Sequence, residues 1–222
     1  MVSLTRRLQE RVSTGIIWGL GLLVPLLTVA IIAGLALRSA PIFAGRSLAD
    51  LLTTSSWRPL AGEFGFRAFL LGTIWVTVAA MVIATPICLL SALYLAEYMR
   101  PRARALVLPV IDLLAGIPSV VYGLFGVLVI VPLVKDQIGP WAQRHLWWCP
   151  WLTPQENNTG YGILAGALVL ALMVAPFIIS VADAVLRTVP PGMREASLSL
   201  GATAWETSKY VSLRKAFPGL VA

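Results

Sequence analysis

The chain has 222 residues, of which 58% are hydrophobic and only 12% charged. Because soluble domains carry roughly 25% charged residues, this composition excludes a soluble globular protein and indicates an integral membrane protein. The formal net charge of +7 does not indicate nucleic-acid binding, since the basic residues lie at the ends of apolar segments, as in membrane proteins.

The first apolar segment follows a short basic N-terminus. Residues 1–14 are predicted to be a cytoplasmic segment, and residues 15–37 contain no charged side chain. A helix of about 20 apolar residues can cross a bilayer. The alternative is a signal peptide cleaved near Ala40 or Ala44. The apolar run is longer than the usual signal-peptide core of about 7–15 residues, which favours an uncleaved span.

Three further spans are predicted at residues 68–96, 113–134 and 160–182, and residues 216–222 read as the start of a fifth. Residues 15–222 are therefore predicted to form one all-α polytopic transmembrane bundle. The loop between spans three and four, residues 135–159, is rich in tryptophan, which favours the headgroup boundary. It also holds the single histidine, His145. No disulfide is expected between the two cysteines, Cys88 and Cys149.

Lysine and arginine counts predict the orientation of the spans. With the N-terminus inside, the cytoplasmic segments hold eleven basic residues and the outer loops hold six. The positive-inside rule therefore favours a cytoplasmic N-terminus. A long polar loop after the fourth span, residues 187–215, is then cytoplasmic as well.

This polar loop carries helix signals. A proline pair at its start suits the first turn of a helix, and Gly201 can adopt the left-handed conformation that ends one. Thr203 and Glu206 have the spacing of a capping box. The loop is therefore predicted to form two short helices joined at Gly201, the second ending near Leu213.

The third span contains residues that interrupt or loosen a helix. Proline removes a backbone hydrogen bond, and small residues allow close helix packing. Polar groups freed at membrane depth must be buried in protein or face water. The segment is either a kinked packing helix or a wall of a translocation path, for which the candidates are Gly116, Pro118, Ser119, Tyr122 and Gly123.

Three carboxylates lie near the predicted cytoplasmic ends of the spans: Glu97, Asp112 and Asp183. Ionisable residues at membrane segments are functional candidates. They are expected either to pair with neighbouring arginines or to act in gating. The arginines within reach along the sequence are Arg100, Arg102, Arg104 and Arg187.

No motif for catalysis is present in the sequence. It contains neither G-x-x-x-x-G-K-[ST], which binds nucleotide phosphates, nor H-E-x-x-H, nor G-x-S-x-G. With one histidine and carboxylates mostly at span ends, we expect no catalytic residue, no metal and no cofactor.

The polar loop resembles the EAA loop of ABC importer permeases. The matching residues are Glu195-Ala196, Gly201, Val211-x-Leu213 and Pro218-Gly219. In that family the loop forms coupling helices that dock into a groove on the ATPase subunit. The resemblance implies that ATPase coupling rests on Arg194, Glu195, Ala196, Gly201 and Glu206. The family usually has Leu-Pro where this chain has Leu213-Arg214.

Other segments resemble the permeases of phosphate importers, of the PstC type more than the sister PstA type. They are LLAGIPSVVYGLFG at 113–126, APFIISVAD at 175–183, Trp57-Arg58-Pro59 and Phe64-Gly65. Such permeases have about six spans, so the last two are expected to be missing here.

The resemblance implies a bacterial inner-membrane importer. Its other components would be a second permease subunit of the PstA type, an ATPase dimer and a periplasmic or lipid-anchored phosphate-binding protein. Two alternatives remain open: a permease for another oxyanion, sulfate or molybdate, and a membrane scaffold that transports nothing.

Overall fold

The computed structural model describes residues 4–45, 47–145 and 159–221. Cys149 and the tryptophans at positions 147, 148 and 151 lie outside these residues. The chain divides into two compact units, residues 1–70 and 71–222.

The described residues are almost entirely helical. The helices in chain order are α1 (Leu4–Gly45), α2 (Leu48–Thr53), α3 (Arg67–Leu93), α4 (Pro101–Ala115), α5 (Ser119–Phe125), α6 (Val131–Leu133), α7 (Gly139–His145), α8 (Ile163–Arg187), α9 (Pro191–Ser199), α10 (Ala204–Glu206) and α11 (Leu213–Val221). Among these residues, four helices are long and apolar enough to cross a membrane: Ser13–Phe43, Arg67–Tyr98, Ser119–His145 and Ile163–Arg187. This confirms the all-α polytopic prediction.

The first unit ends in a small aromatic cluster. Strands β1 (Trp57–Arg58) and β2 (Glu63–Phe64) pair antiparallel, an element that the sequence reading did not anticipate. The ring of Trp57 lies 5.8 Å from that of Phe64 and 5.6 Å from that of Phe66. A Cβ at Gly65 would lie 2.3 Å from the carbonyl oxygen of Thr54, so only glycine fits where the chain passes so close to this backbone.

The third span begins later than predicted. Helix α4 ends at Ala115, and a new helix starts at Ser119. Proline cannot donate a helical hydrogen bond, and it disfavours the helical conformation of the residue before it. Pro118 therefore separates two helices, with α4 on one side and the 119–145 helix on the other.

The same helix also ends later than predicted. It runs from α5 through α6 and α7 to His145, with π-helical turns at Gly126–Ile130 and Val134–Ile138. Lys135 and Asp136, which had suggested the start of a loop, lie inside it. His145 stacks on Trp141, with ring centroids 5.0 Å apart, in the last turn.

Small side chains form the contact between α3 and α8 in the second unit. One buried cluster consists of Ala80, Ala84, Cys88, Ala167 and Ala171. A second cluster lies at the ends of these helices next to the polar loop and consists of Ala92, Leu93, Ala182, Leu186, Val189 and Ala216. Small residues at both faces let two membrane helices approach closely.

Candidate functional site

The polar loop forms two helices joined at a tight turn. Gly201 has φ +89°, the left-handed conformation that the sequence predicted. Its N–H donates to the Leu198 carbonyl at 3.0 Å, and the N–H of Ala202 donates to that of Ser197 at 3.3 Å. These two bonds form a Schellman motif, which satisfies the last carbonyls of α9.

The second helix begins with the predicted capping box. The Thr203 hydroxyl accepts from the N–H of Glu206 at 3.2 Å, and the Glu206 carboxylate accepts from the N–H of Thr203 at 2.8 Å. The pKa of Glu206 is lowered mainly by the hydrogen bond from the backbone N–H of Thr203, and further by the one from the Thr203 hydroxyl. The carboxylate is therefore ionised at neutral pH and holds the start of α10.

This second helix does not end near Leu213. It continues from α10 through a π turn, Thr207–Ser212, into α11, which contains Pro218. A proline at position 214, as is usual in the EAA loops that this segment resembles, would disfavour the helical conformation of the preceding residue. Arg214 stands there instead, and the helix continues through this position and through Pro218.

Arg194 lies at the centre of the contacts that hold α9 to the spans. Its Nη2 donates to the Leu186 carbonyl at 2.9 Å, and its Nε lies 3.3 Å from the Ser212 hydroxyl. The same Nη2 lies 2.9 Å from Oε1 of Glu97, whose side chain is 10% exposed. This contact is an ion pair rather than an aligned hydrogen bond, because that oxygen has no hydrogen-bond donor among the described residues.

The two short helices also bond to each other. The hydroxyls of Ser197 on α9 and Thr207 at the start of the π turn lie 3.0 Å apart. Thr207 and Ser212 are both buried. The turn at Gly201, this hydroxyl pair and Arg194 together fix the angle between the helices.

Two large apolar side chains of the helix pair are exposed. Leu200 at the turn is 89% exposed, and Trp205 is 52% exposed. Glu195, Ala196 and Gly201 are exposed on the same pair of helices. These side chains lie beside a fixed backbone turn, where they are available to contact another protein.

The five predicted coupling residues therefore differ in position. Glu195, Ala196 and Gly201 are exposed, whereas Arg194 points inward and holds α9 to α3 and α8. Glu206 is exposed but serves as the cap of α10.

The carboxylates at the span ends are engaged by other elements. Asp183 forms an ion pair with Arg104, one of the predicted partners. Glu97 pairs with Arg194 instead of an arginine nearby in sequence, because α9 folds back against the end of α3. Asp112 accepts a hydrogen bond from the Ser180 hydroxyl at 3.1 Å. Pairing is thus the observed arrangement for Glu97 and Asp183.

The translocation candidates fall into two groups. The Tyr122 hydroxyl donates to the Leu114 carbonyl at 2.8 Å, so it bridges the helix break at Gly116 and Pro118. Ser119 and Gly123 line a groove of about 410 Å³ between the 119–145 helix and α8. No lysine or arginine is among the described residues that line it.

Sequence reasoning missed Glu97 and Ser212 as partners of Arg194, and Ser197 and Thr207 as partners of each other. A buried arginine on a short polar helix indicates an acidic partner, but no local spacing identifies which one. The sequence did indicate that Glu97, at the end of an apolar span, needs a basic partner. The arginines predicted for that role were those nearest to it in sequence.

The fold and these contacts define a multi-pass helical membrane protein with a helical loop fixed to its spans. Residues 88–222 match the family model described as binding-protein-dependent transport system inner membrane component. The chain belongs to this family.

Curated relatives extend the similarity beyond the family model. The chain is 33% identical over 179 residues to the probable ABC transporter permease protein YqgH of Bacillus subtilis, covering 80% of this chain and 52% of the relative. It is 37% identical over 162 residues to the phosphate transport system permease protein PstC of Xylella fastidiosa (72% and 50%). It is 34% identical over 174 residues to PstC of Haemophilus influenzae (78% and 55%).

The chain spans about half the length of these curated relatives. No solved structure matches the chain.

Proposed function

We propose that this chain contributes half of the translocation path of an ATP-driven importer of inorganic phosphate in the bacterial cytoplasmic membrane. The observation that carries the proposal is the α9–α10 pair, which is fixed to the spans by Arg194 and exposes Leu200 and Trp205. Relatives named as phosphate permeases support the choice of cargo.

The partners follow from this role. The exposed face carrying Leu200 and Trp205 would dock on an ATPase subunit, two copies of which would bind and hydrolyse ATP. A second permease subunit of the PstA type would supply the other half of the path, and a phosphate-binding protein would deliver the anion. With an inside N-terminus, the polar loop faces the cytoplasm, where the ATPase would be.

Transport would proceed by alternating access. ATP binding and hydrolysis in the partner would displace the α9–α10 pair, and the attached spans would open the path first to one side and then to the other. The groove beside Ser119 and Gly123 and the helix break bridged by Tyr122 are the segments of this chain proposed to line the path.

Anion selectivity requires charge compensation from elsewhere in the importer. The groove walls are mostly apolar, and Arg194 and Arg104 are already paired with carboxylates. Most of the discrimination between phosphate and other oxyanions is therefore assigned to the binding protein and the second permease subunit.

The test is uptake by the assembled importer in proteoliposomes containing ATP. We expect labelled phosphate to accumulate and the ATPase to co-purify with this chain. Gly201→Pro and Glu195→Lys should reduce both association and uptake, whereas the charge reversal Asp136→Lys, at an exposed site on the 119–145 helix, should not. Uptake of sulfate or molybdate without phosphate would overturn the cargo, and absence of any associated ATPase would overturn the class.

A further inference from the structure

Both helices of the polar loop are attached to the same turn at the end of α3, the π turn Tyr94–Tyr98. Glu97 in this turn pairs with Arg194 of α9 across 2.9 Å. The next residue, Tyr98, places its hydroxyl 3.2 Å from the Ser208 hydroxyl, in the helix that continues from α10. Adjacent residues of one turn therefore contact two different helices of the loop.

The turn ends the helix with a defined set of contacts. The N–H of Met99 donates to the Tyr94 carbonyl at 2.9 Å, and Leu95 is buried inside. The rings of Tyr94 and Tyr98 stack, with centroids 6.4 Å apart and an interplanar angle of 6°. The backbone then extends through Met99 and Arg100 before α4 begins.

The chain connectivity explains why such contacts are needed. Helix α8 is joined to α9 by a short connection, Thr188 to Pro190, so a movement of the loop reaches α8 directly through the backbone. Helix α3 has no such neighbour. A displacement of α9 and α10 can reach α3 through the apolar packing that α3 shares with α8. It can also reach α3 through Glu97 and Tyr98, which provide one polar contact to each helix of the loop.

We infer that the π turn Tyr94–Tyr98 is the point at which movement of the polar loop is transmitted to the second span, with Glu97 and Tyr98 as the positioning residues. This inference rests on the proposed function, since it concerns how hydrolysis is converted into transport. A merely structural role for the two residues makes a different prediction: uptake and ATP hydrolysis would fall together as the amount of folded complex falls.

The experiment measures phosphate taken up per ATP hydrolysed by the assembled importer in proteoliposomes. The test variants are Glu97→Gln, which removes the charge facing Arg194, and Tyr98→Phe, which removes only the hydroxyl. Tyr94→Phe is the matched control, because the Tyr94 ring lies in the same turn and no hydrogen bond of its hydroxyl is found among the described residues. Asp183→Asn is a second control, since it breaks a buried ion pair that involves neither loop helix.

We expect Glu97→Gln to lower the ratio of uptake to hydrolysis severalfold and Tyr98→Phe to lower it less. Tyr94→Phe and Asp183→Asn should leave the ratio unchanged, even where Asp183→Asn lowers the yield of complex.

The inference is overturned if the unmodified importer takes up phosphate but Tyr98→Phe and Glu97→Gln keep the same ratio. If Glu97→Gln does not assemble, the ratio for Tyr98→Phe decides alone. A failure of the proposed function is distinct, because the unmodified chain would then show neither phosphate uptake nor an associated ATPase.

Discussion

The guanidinium of Arg194 donates a hydrogen bond to the backbone carbonyl of Leu186 across 2.9 Å. Leu186 lies in the last turn of α8, and its carbonyl also accepts from the N–H of Val189 at 3.3 Å. The same guanidinium carries the charge that faces Glu97 at the end of α3. One side chain on α9 therefore adds a second donor at a helix end, compensates a carboxylate that is 10% exposed and joins two spans.

Replacing this side chain should destabilise the protein more than a surface substitution does. Breaking a fully buried ion pair costs about 3–5 kcal/mol. Because the Arg194 side chain is 23% exposed, we expect Arg194→Met to lower the free energy of unfolding by about 2–3 kcal/mol. Thermal unfolding of the purified protein in detergent measures this.

Two further substitutions make the test specific. Arg214→Met at an exposed site should change the free energy by less than about 0.5 kcal/mol. Arg194→Lys should retain only part of the stability, because an ammonium group cannot reproduce the planar contacts of the guanidinium. Equal stability of Arg194→Lys and the unmodified chain would contradict the multiple-contact arrangement.

The effect of a substitution at Gly201 should depend on whether the new residue can adopt the left-handed backbone conformation, and not on the size of its side chain. An added Cβ would meet nothing within 4 Å, but φ is +89°. The left-handed conformation costs an alanine roughly 1–2 kcal/mol, and asparagine tolerates it better. We therefore expect Gly201→Ala to lower hydrogen-exchange protection at the end of α9, and Gly201→Asn to lower it less.

Gly192 supplies the matched control for this prediction. It lies in α9 with open space around it and no positive φ. Gly192→Ala should leave protection equal or raise it, because alanine favours helix over glycine. Loss of protection in Gly192→Ala comparable to that in Gly201→Ala would show that bulk, and not conformation, matters on this helix.

Local spacing explains which parts of this loop the sequence could predict. The capping box at Thr203 and Glu206 and the helix end at Gly201 involve residues within a few positions of one another, so backbone chemistry alone determines them. The spans were likewise predictable, since a long uncharged apolar run in a membrane has little alternative to helix.

Contacts between distant segments were not predictable in the same way. Glu97 was assigned an arginine close to it in sequence, yet its partner is Arg194, which tertiary packing brings to it. The helix that starts at Ser119 extends to His145, because charged residues such as Lys135 and Asp136 can continue a helix beyond its apolar part. Pro118 was read as a kink, but Gly116 and Pro118 together end one helix and start another.

The capping box predicts a pH dependence with a definite sign. The pKa of Glu206 is lowered in the folded protein, first by the N–H of Thr203 and then by its hydroxyl. A lowered pKa means that the folded state favours the carboxylate. The stabilisation is therefore complete above the ordinary glutamate pKa, about 4.3, and is lost as the pH falls through the lowered value.

The comparison with Glu206→Gln isolates this effect, since glutamine has the shape of the protonated side chain. Above about pH 5 the unmodified chain should have the higher melting temperature. The difference should shrink as the pH falls below the ordinary glutamate pKa. A difference that stays constant from pH 7 to pH 3 would contradict a stabilising role for the ionised carboxylate.

The contact between the 119–145 helix and α8 should be sensitive to the size of residue 126. Gly126 is buried, and a Cβ added there would lie 2.5 Å from Cγ2 of Val169. The side chain or the helix must shift, and such overpacking costs about 1–3 kcal/mol. We expect Gly126→Ala to lower the melting temperature, and Val169→Ala in the same chain to restore much of it by removing the clashing methyl groups.

Gly123→Ala, one turn earlier with nothing within 4 Å of the new Cβ, should be neutral or stabilising. Equal losses for Gly123→Ala and Gly126→Ala would show that helix packing at Val169 is not the cause.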